Sequence, residues 1–129
     1  MSKPTKPELK AKSKRDALLD DLNNNVGARA GHPIVATATK LSKYYRGFVT
    51  SPDSEYKQLY RALAGVPACI LEGFGRGPGG YRTNFFLMAR GSAYEALGHA
   101  MILDSDHVNA VTDLCNDIDQ LMREHVTDE

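Results

Sequence analysis

From position 33 onward, apolar residues recur at three- and four-residue steps, a period that predicts helices along most of the chain. Ile34, Ala38, Leu41, Tyr45 and Phe48 form the first stripe, opened by Pro33 at a first helical position and ended near Gly47, with a stop at Thr50 and Ser51. A second start is marked by Ser51 as N-cap, Pro52 at the first position, and Asp53 and Glu55 in the first turn. Its stripe is Tyr56, Leu59, Tyr60, Leu63, Val66, Ile70 and Phe74. Pro67 falls inside it, so a bend is expected there.

Gly73, Gly75, Gly77, Gly79 and Gly80, with Pro78, predict a turn. A third helix is expected over 81–103. It is apolar on two sides, with Phe85, Ala89, Ala93, Ala96 and Ala100 on one and Leu87, Met88, Gly91, Tyr94, Gly98 and Met101 toward the other. A helix apolar nearly all round is buried by more than one layer. Leu87, Gly91, Tyr94, Gly98 and Met101 are therefore the expected subunit interface of a homo-oligomer. Asp104-Ser105-Asp106 caps a last helix carrying Val108, Val111, Cys115, Ile118 and Met122, with Leu114 and Leu121 overlapping that face. No alternating strand pattern competes.

Ahead of position 33 the pattern weakens. Residues 1–12 read as a solvated tail. Ser13 caps a short helix with Leu18, Leu19 and Leu22 on one side, residues 27–31 read as loop, and none of this segment looks like core. The expectation is an all-α fold: an antiparallel up-down-up-down four-helix bundle over 32–127, preceded by an N-terminal extension over 1–31.

A 129-residue chain with 42% hydrophobic residues supports one ordinary core. Its apolar stretches are too short for a membrane span, and no apolar segment follows the basic N-terminus as a secretory signal requires. A cytoplasmic protein with no membrane partner is expected. Cys69 and Cys115 lie in apolar stripes and read as free thiols, although spacing alone does not decide against a bridge.

The net charge is zero but uneven: the first fifteen residues hold six basic side chains against Glu8, and 91–129 hold nine acidic ones against Arg123. Lys40, Lys43, Arg46, Lys57, Arg61, Arg76 and Arg82, with Tyr44, Tyr45, Tyr60 and Tyr81 among them, have the composition of a nucleic-acid surface. They have equally that of a solvated face with ordinary tyrosines. Opposite charges meeting between subunits would also explain the asymmetry.

The chemistry of an enzyme is not evident. The glycine run follows a helix and lacks the lysine of a phosphate loop. His32, His99, His107 and His125 have no ligand spacing. Glu95 and His99 stand at i, i+4 without the repeated motif a di-metal bundle uses. No catalytic residue, metal or cofactor is expected, and Glu72, Arg76, Arg90 and Glu95 read instead as a structural carboxylate–guanidinium network.

The run from Ile70 to Arg76, with Glu72-Gly73-Phe74-Gly75-Arg76 at its heart, precedes Tyr81–Leu87 and then Ala89-Arg90-Gly91-Ser92-Ala93-Tyr94-Glu95. Together these resemble the bacterial four-helix-bundle family first noticed in intervening sequences of 23S ribosomal RNA genes. Arg61-Ala62 and Val66-Pro67 fall where that family carries related residues, and weaker agreement runs from Ile34 to Val126. Ala68 and Cys69 stand where the family commonly has Ser and Asn, and the first thirty residues have no counterpart. The resemblance implies an antiparallel bundle assembling into a homo-oligomer, with five-fold rings known. It also implies, through a related accessory protein of diversity-generating retroelements, a ring that binds nucleic acid. The functional expectation is a non-enzymatic oligomeric scaffold binding RNA or a ribonucleoprotein; the alternative is a protein-partner adaptor that binds no nucleic acid.

Overall fold

The computed structural model describes residues 13–125, which form six helices: α1 (Lys14–Leu22), α2 (Val26–Ala30), α3 (Pro33–Arg46), α4 (Ser54–Gly75), α5 (Gly80–Ile102) and α6 (Val108–His125). There is no strand among the described residues. The tail expected over 1–12 lies outside them.

Local chemistry explains most of the starts. Ser13 Oγ accepts from the Asp16 amide and opens α1. Residues 27–30 are helix rather than loop, with Gly31 in the turn beyond: Asn25 Oδ1 accepts from the Ala28 amide and starts the one-turn helix α2. His32 opens α3 through Nδ1, which accepts from the Ile34 amide at 3.1 Å, with Pro33 following.

The start of α4 differs from the expectation. Asp53 is its cap, accepting from the Glu55 amide at 2.9 Å. Ser51 Oγ accepts from the Asp53 amide instead, so Ser51 and Pro52 precede the helix. α4 then runs through Pro67 as one helix, since burial of its Leu59, Leu63, Val66, Ile70 and Phe74 face offsets the missing amide donor. Gly77 (φ 81°) and Gly79 (φ 128°) make the following turn, in backbone conformations that side chains disfavour.

α4 packs on both α3 and α5, and α6 packs on both α5 and α3. Ile34, Leu59, Leu63, Val66, Ile70, Phe86, Val111, Leu114 and Ile118 fill the middle and are almost wholly buried. Between α4 and α5 the helices approach closely because glycine faces a larger side chain. A Cβ on Gly73 would lie 2.7 Å from Phe86 Cε1, and one on Gly65 would lie 3.2 Å from Ser92 Oγ. Neither α1 nor α2 buries a residue fully. No helix among the described residues is long and apolar enough to cross a membrane.

Candidate functional site

α5 presents two faces of opposite fate. Arg82, Phe86, Ala89, Ala93, Ala96 and Ala100 recur at four- and three-residue steps and are all buried. The alanines let neighbouring backbones come close at little side-chain entropy cost. On the outer face, Leu87, Met88, Tyr94, Met101 and Ile102 are exposed, Ile102 by 67%. Gly91 and Gly98 lie between them, and a Cβ at either would meet no heavy atom within 4 Å. The five expected interface residues thus share one open, largely apolar helix face. Covering a Leu or Met side chain fully is worth about 1.5–3 kcal/mol relative to leaving it in water.

One edge of this face is held in place. Arg90 Nε donates to Asp119 Oδ1 at 2.5 Å, and the Tyr94 hydroxyl donates to Asp119 Oδ2 at 3.0 Å. The Arg90 guanidinium also lies over the Tyr94 ring, 4.7 Å from its centroid. The Arg90 hydrogen bond holds the Asp119 carboxyl below its ordinary range. The Tyr94 ring is therefore held in one orientation at the edge of this face.

The basic residues are split. Lys40, Lys43 and Arg46 on α3, and Lys57 and Arg61 on α4, are exposed. Arg76 is exposed but hydrogen-bonds Glu72 at 3.1 Å and lies 5.3 Å from the Phe85 ring centroid. Arg82 must be removed from the nucleic-acid set: its side chain is only 3% exposed. The signal was present in its register, because Arg82 precedes Phe86 and Ala89 at core spacing.

Glu72, Arg76, Arg90 and Glu95 do not form one network. Glu72 pairs with Arg76 within α4 and its cap, Arg90 turns to Asp119 on α6, and Glu95 Oε1 lies 3.6 Å from His99 Nε2. His99 Nδ1 in turn meets Glu55 Oε2 at 2.5 Å. Of the expected pairings only Glu72 with Arg76 forms, while Arg90 and Glu95 turn to other partners.

The buried ionic network lies elsewhere, centred on Arg82. Its Nε donates to the Gly73 carbonyl at 3.1 Å and its Nη2 to the Phe74 carbonyl at 2.8 Å. The same Nη2 lies 2.9 Å from both carboxylate oxygens of Asp21, and Arg29 completes the group at 2.6 Å from Asp21 Oδ1. Arg29 and Arg82 both stack on Phe74, at 4.6 and 5.3 Å from its ring centroid. Burial raises the Asp21 pKa, but the two arginines outweigh it and hold the carboxyl below its ordinary 3.8. Two cations around one carboxylate also tie α1 and α2 to the end of the helix pair α4 and α5.

Among the described residues, no group of three or more His, Cys, Asp or Glu is placed to hold a metal ion. Cys69 and Cys115 are both free thiols, and burial pushes Cys115 up to about 11. Such a thiol is a poor nucleophile at neutral pH. No family model, no curated protein and no solved structure matches the chain.

Proposed function

We propose that this protein is a non-enzymatic, self-associating helical scaffold whose basic surface receives RNA or a ribonucleoprotein. In this reading α3 to α6 make an antiparallel up-down-up-down four-helix bundle. Contact pairs support that arrangement. Across α4 and α5, Glu55 meets His99 while Gly73 meets Phe86. Across α5 and α6, Phe86 lies by His125 while Arg90 reaches Asp119. Across α3 and α4, His32 lies by Phe74 and Tyr45 by Tyr56. In each pair, rising numbers on one helix meet falling numbers on the next.

The observation that carries the reading is the outer face of α5, where exposed Leu87, Met88, Met101 and Ile102 flank two open glycines. Glycines in such a stripe let a second helix approach closely, and the same face on another copy supplies the apolar cover. A ring of five is the assembly suggested by the resemblance to the ribosomal intervening-sequence family. Lys40, Lys43, Arg46, Lys57 and Arg61 would then repeat around it, so that a modest charge per subunit becomes multivalent.

Sedimentation velocity of the purified chain, alone and with a structured ribosomal RNA fragment at low and moderate salt, tests both halves. A defined oligomer that carries RNA at low salt and releases it as salt rises is expected. An oligomer indifferent to RNA would transfer the reading to a protein-partner adaptor, and a monomer would remove the scaffold itself.

A further inference from the structure

A separate cluster of aromatic side chains gathers at the joint between α3 and α4, beneath the joint between α5 and α6. Tyr44, Tyr45, Phe48 and Tyr56 line a cavity of about 180 Å³ together with Asp104, Asp106, Ser105 and His107. The rings stand at different angles. Phe48 and Tyr56 lie nearly parallel with centroids 5.1 Å apart, while Tyr44 meets Tyr45 edge-on at 5.0 Å. The Tyr45 hydroxyl is shared between Ser105 Oγ and His107 Nδ1, the latter at 2.6 Å, which ties this aromatic wall to the loop bearing the two aspartates.

That loop is shaped to present its acids. Asp104 sits at φ 49°, a left-handed conformation that Asp tolerates better than most side chains. Asp104 and Asp106 are both exposed at the mouth. The chain's own arginines stack on Phe74, Phe85 and Tyr94. Among the described residues, no arginine or lysine lies over Tyr44, Tyr45, Phe48 or Tyr56. Among the described residues, four aromatic side chains line this cavity, two carboxylates rim it, and its lining holds no arginine or lysine.

We propose that this cavity binds a small organic cation with an alkylated ammonium head. Aromatic faces attract a cation within about 6 Å of the ring centroid, most strongly when the cation is poorly hydrated. Methyl groups on the nitrogen remove its donors and thin its hydration, so such a head gains more from neighbouring rings than a bare ammonium does. The two aspartates complement its charge at the rim. The volume suits a compact head rather than one water molecule. Neither the α5 face nor the basic residues take part, so the site stands or falls independently of the scaffold reading.

The test is a titration with choline at constant ionic strength, followed by tyrosine emission, which is clean because the chain has no tryptophan. The neutral isostere of choline, with tert-butyl in place of trimethylammonium, is titrated in parallel. Saturable choline binding at least about tenfold tighter than the isostere is expected. The double substitution Asp104→Asn with Asp106→Asn, which keeps a residue tolerant of the left-handed backbone, should weaken choline about tenfold. Phe48→Leu, outside any helix, should weaken it as well. Equal binding of choline and isostere, no saturable signal, or unchanged affinity in the charge-removed variant would each overturn the proposal.

Discussion

Asp21 and Arg82, 61 positions apart, meet with both carboxylate oxygens 2.9 Å from one guanidinium nitrogen. Arg82 is 3% exposed and Asp21 11%, so this contact is nearly out of water. A buried charge that loses its partner is costly, because the remaining ion keeps its desolvation penalty. Arg82 would retain the Gly73 and Phe74 carbonyls but no counter-charge. Asp21→Ala should therefore lower the unfolding free energy by about 3 kcal/mol, measured by urea denaturation. Arg82→Lys should lose most of the same amount, since a single ammonium cannot reproduce the guanidinium's fork to one carboxylate and two carbonyls.

The pH dependence of stability should carry two separate marks. Burial pushes the His125 imidazole below its ordinary 6.5, Arg82 and Arg29 push the same way, and Glu124 and Asp21 pull it back up. A depressed folded value means the unfolded chain takes the proton first. Stability is then intact above 6.5 and falls as the pH drops through that value. Tm should decline between about pH 7 and pH 5, and His125→Phe, which keeps the edge-on contacts with Phe74 and Phe86, should flatten that decline. The depressed Asp21 contributes in a lower window: its stabilisation is complete above the ordinary 3.8 and is lost on further acidification. Asp21→Asn should remove that second decline and, because the Asp21 charge pulls the His125 value up, keep or deepen the first.

Close packing of α4 on α5 predicts a third result. A Cβ at position 73 would stand 2.7 and 2.8 Å from two ring carbons of Phe86 and 3.3 Å from Phe85 Cβ. Phe86 is wholly buried, so its ring has nowhere to retreat. Gly73→Ala should cost about 1–3 kcal/mol by overpacking, despite the gain in helix propensity. Adding Phe86→Leu should recover part of that loss in thermal melts, because it removes the clashing ring atoms. A fully additive double variant would show that Phe86 is not the obstacle.

What the sequence reveals about this molecule is what a period of three to four residues can encode. The stripes at Ile34–Tyr45, Leu59–Phe74 and Val111–Leu121 match the buried faces of α3, α4 and α6. Helix α2 escapes because five residues make too little of a period, and its start rests on one Asn25 side chain. Ser51 and Pro52 form a good local start signal, but Asp53 wins by holding the Glu55 amide. The buried position of Arg82 could have been read from its register with Phe86. Its pairing with Asp21 could not, because a contact across 61 positions leaves no local trace. The cavity at Tyr45 and His107 escapes for the same reason: its walls come from two distant joints, and only folding brings them together.

The outer face of α5 gives a prediction whose two parts have opposite signs. Gly91 and Gly98 sit inside a helix, where glycine costs about 0.5–1 kcal/mol relative to alanine. No heavy atom stands within 4 Å of a Cβ added at either position. In an isolated subunit, Gly91→Ala and Gly98→Ala should each raise stability by about that amount, read at concentrations too low for assembly. If the face packs closely against a second copy, the added methyls hold the helices apart. The same substitutions should then weaken association, shifting sedimentation profiles toward the monomer as the protein is diluted. A variant that gains stability and associates as well as the parent would show that these glycines do not serve close helix contact. Loss of association together with a stabler subunit is the outcome the open glycine stripe predicts.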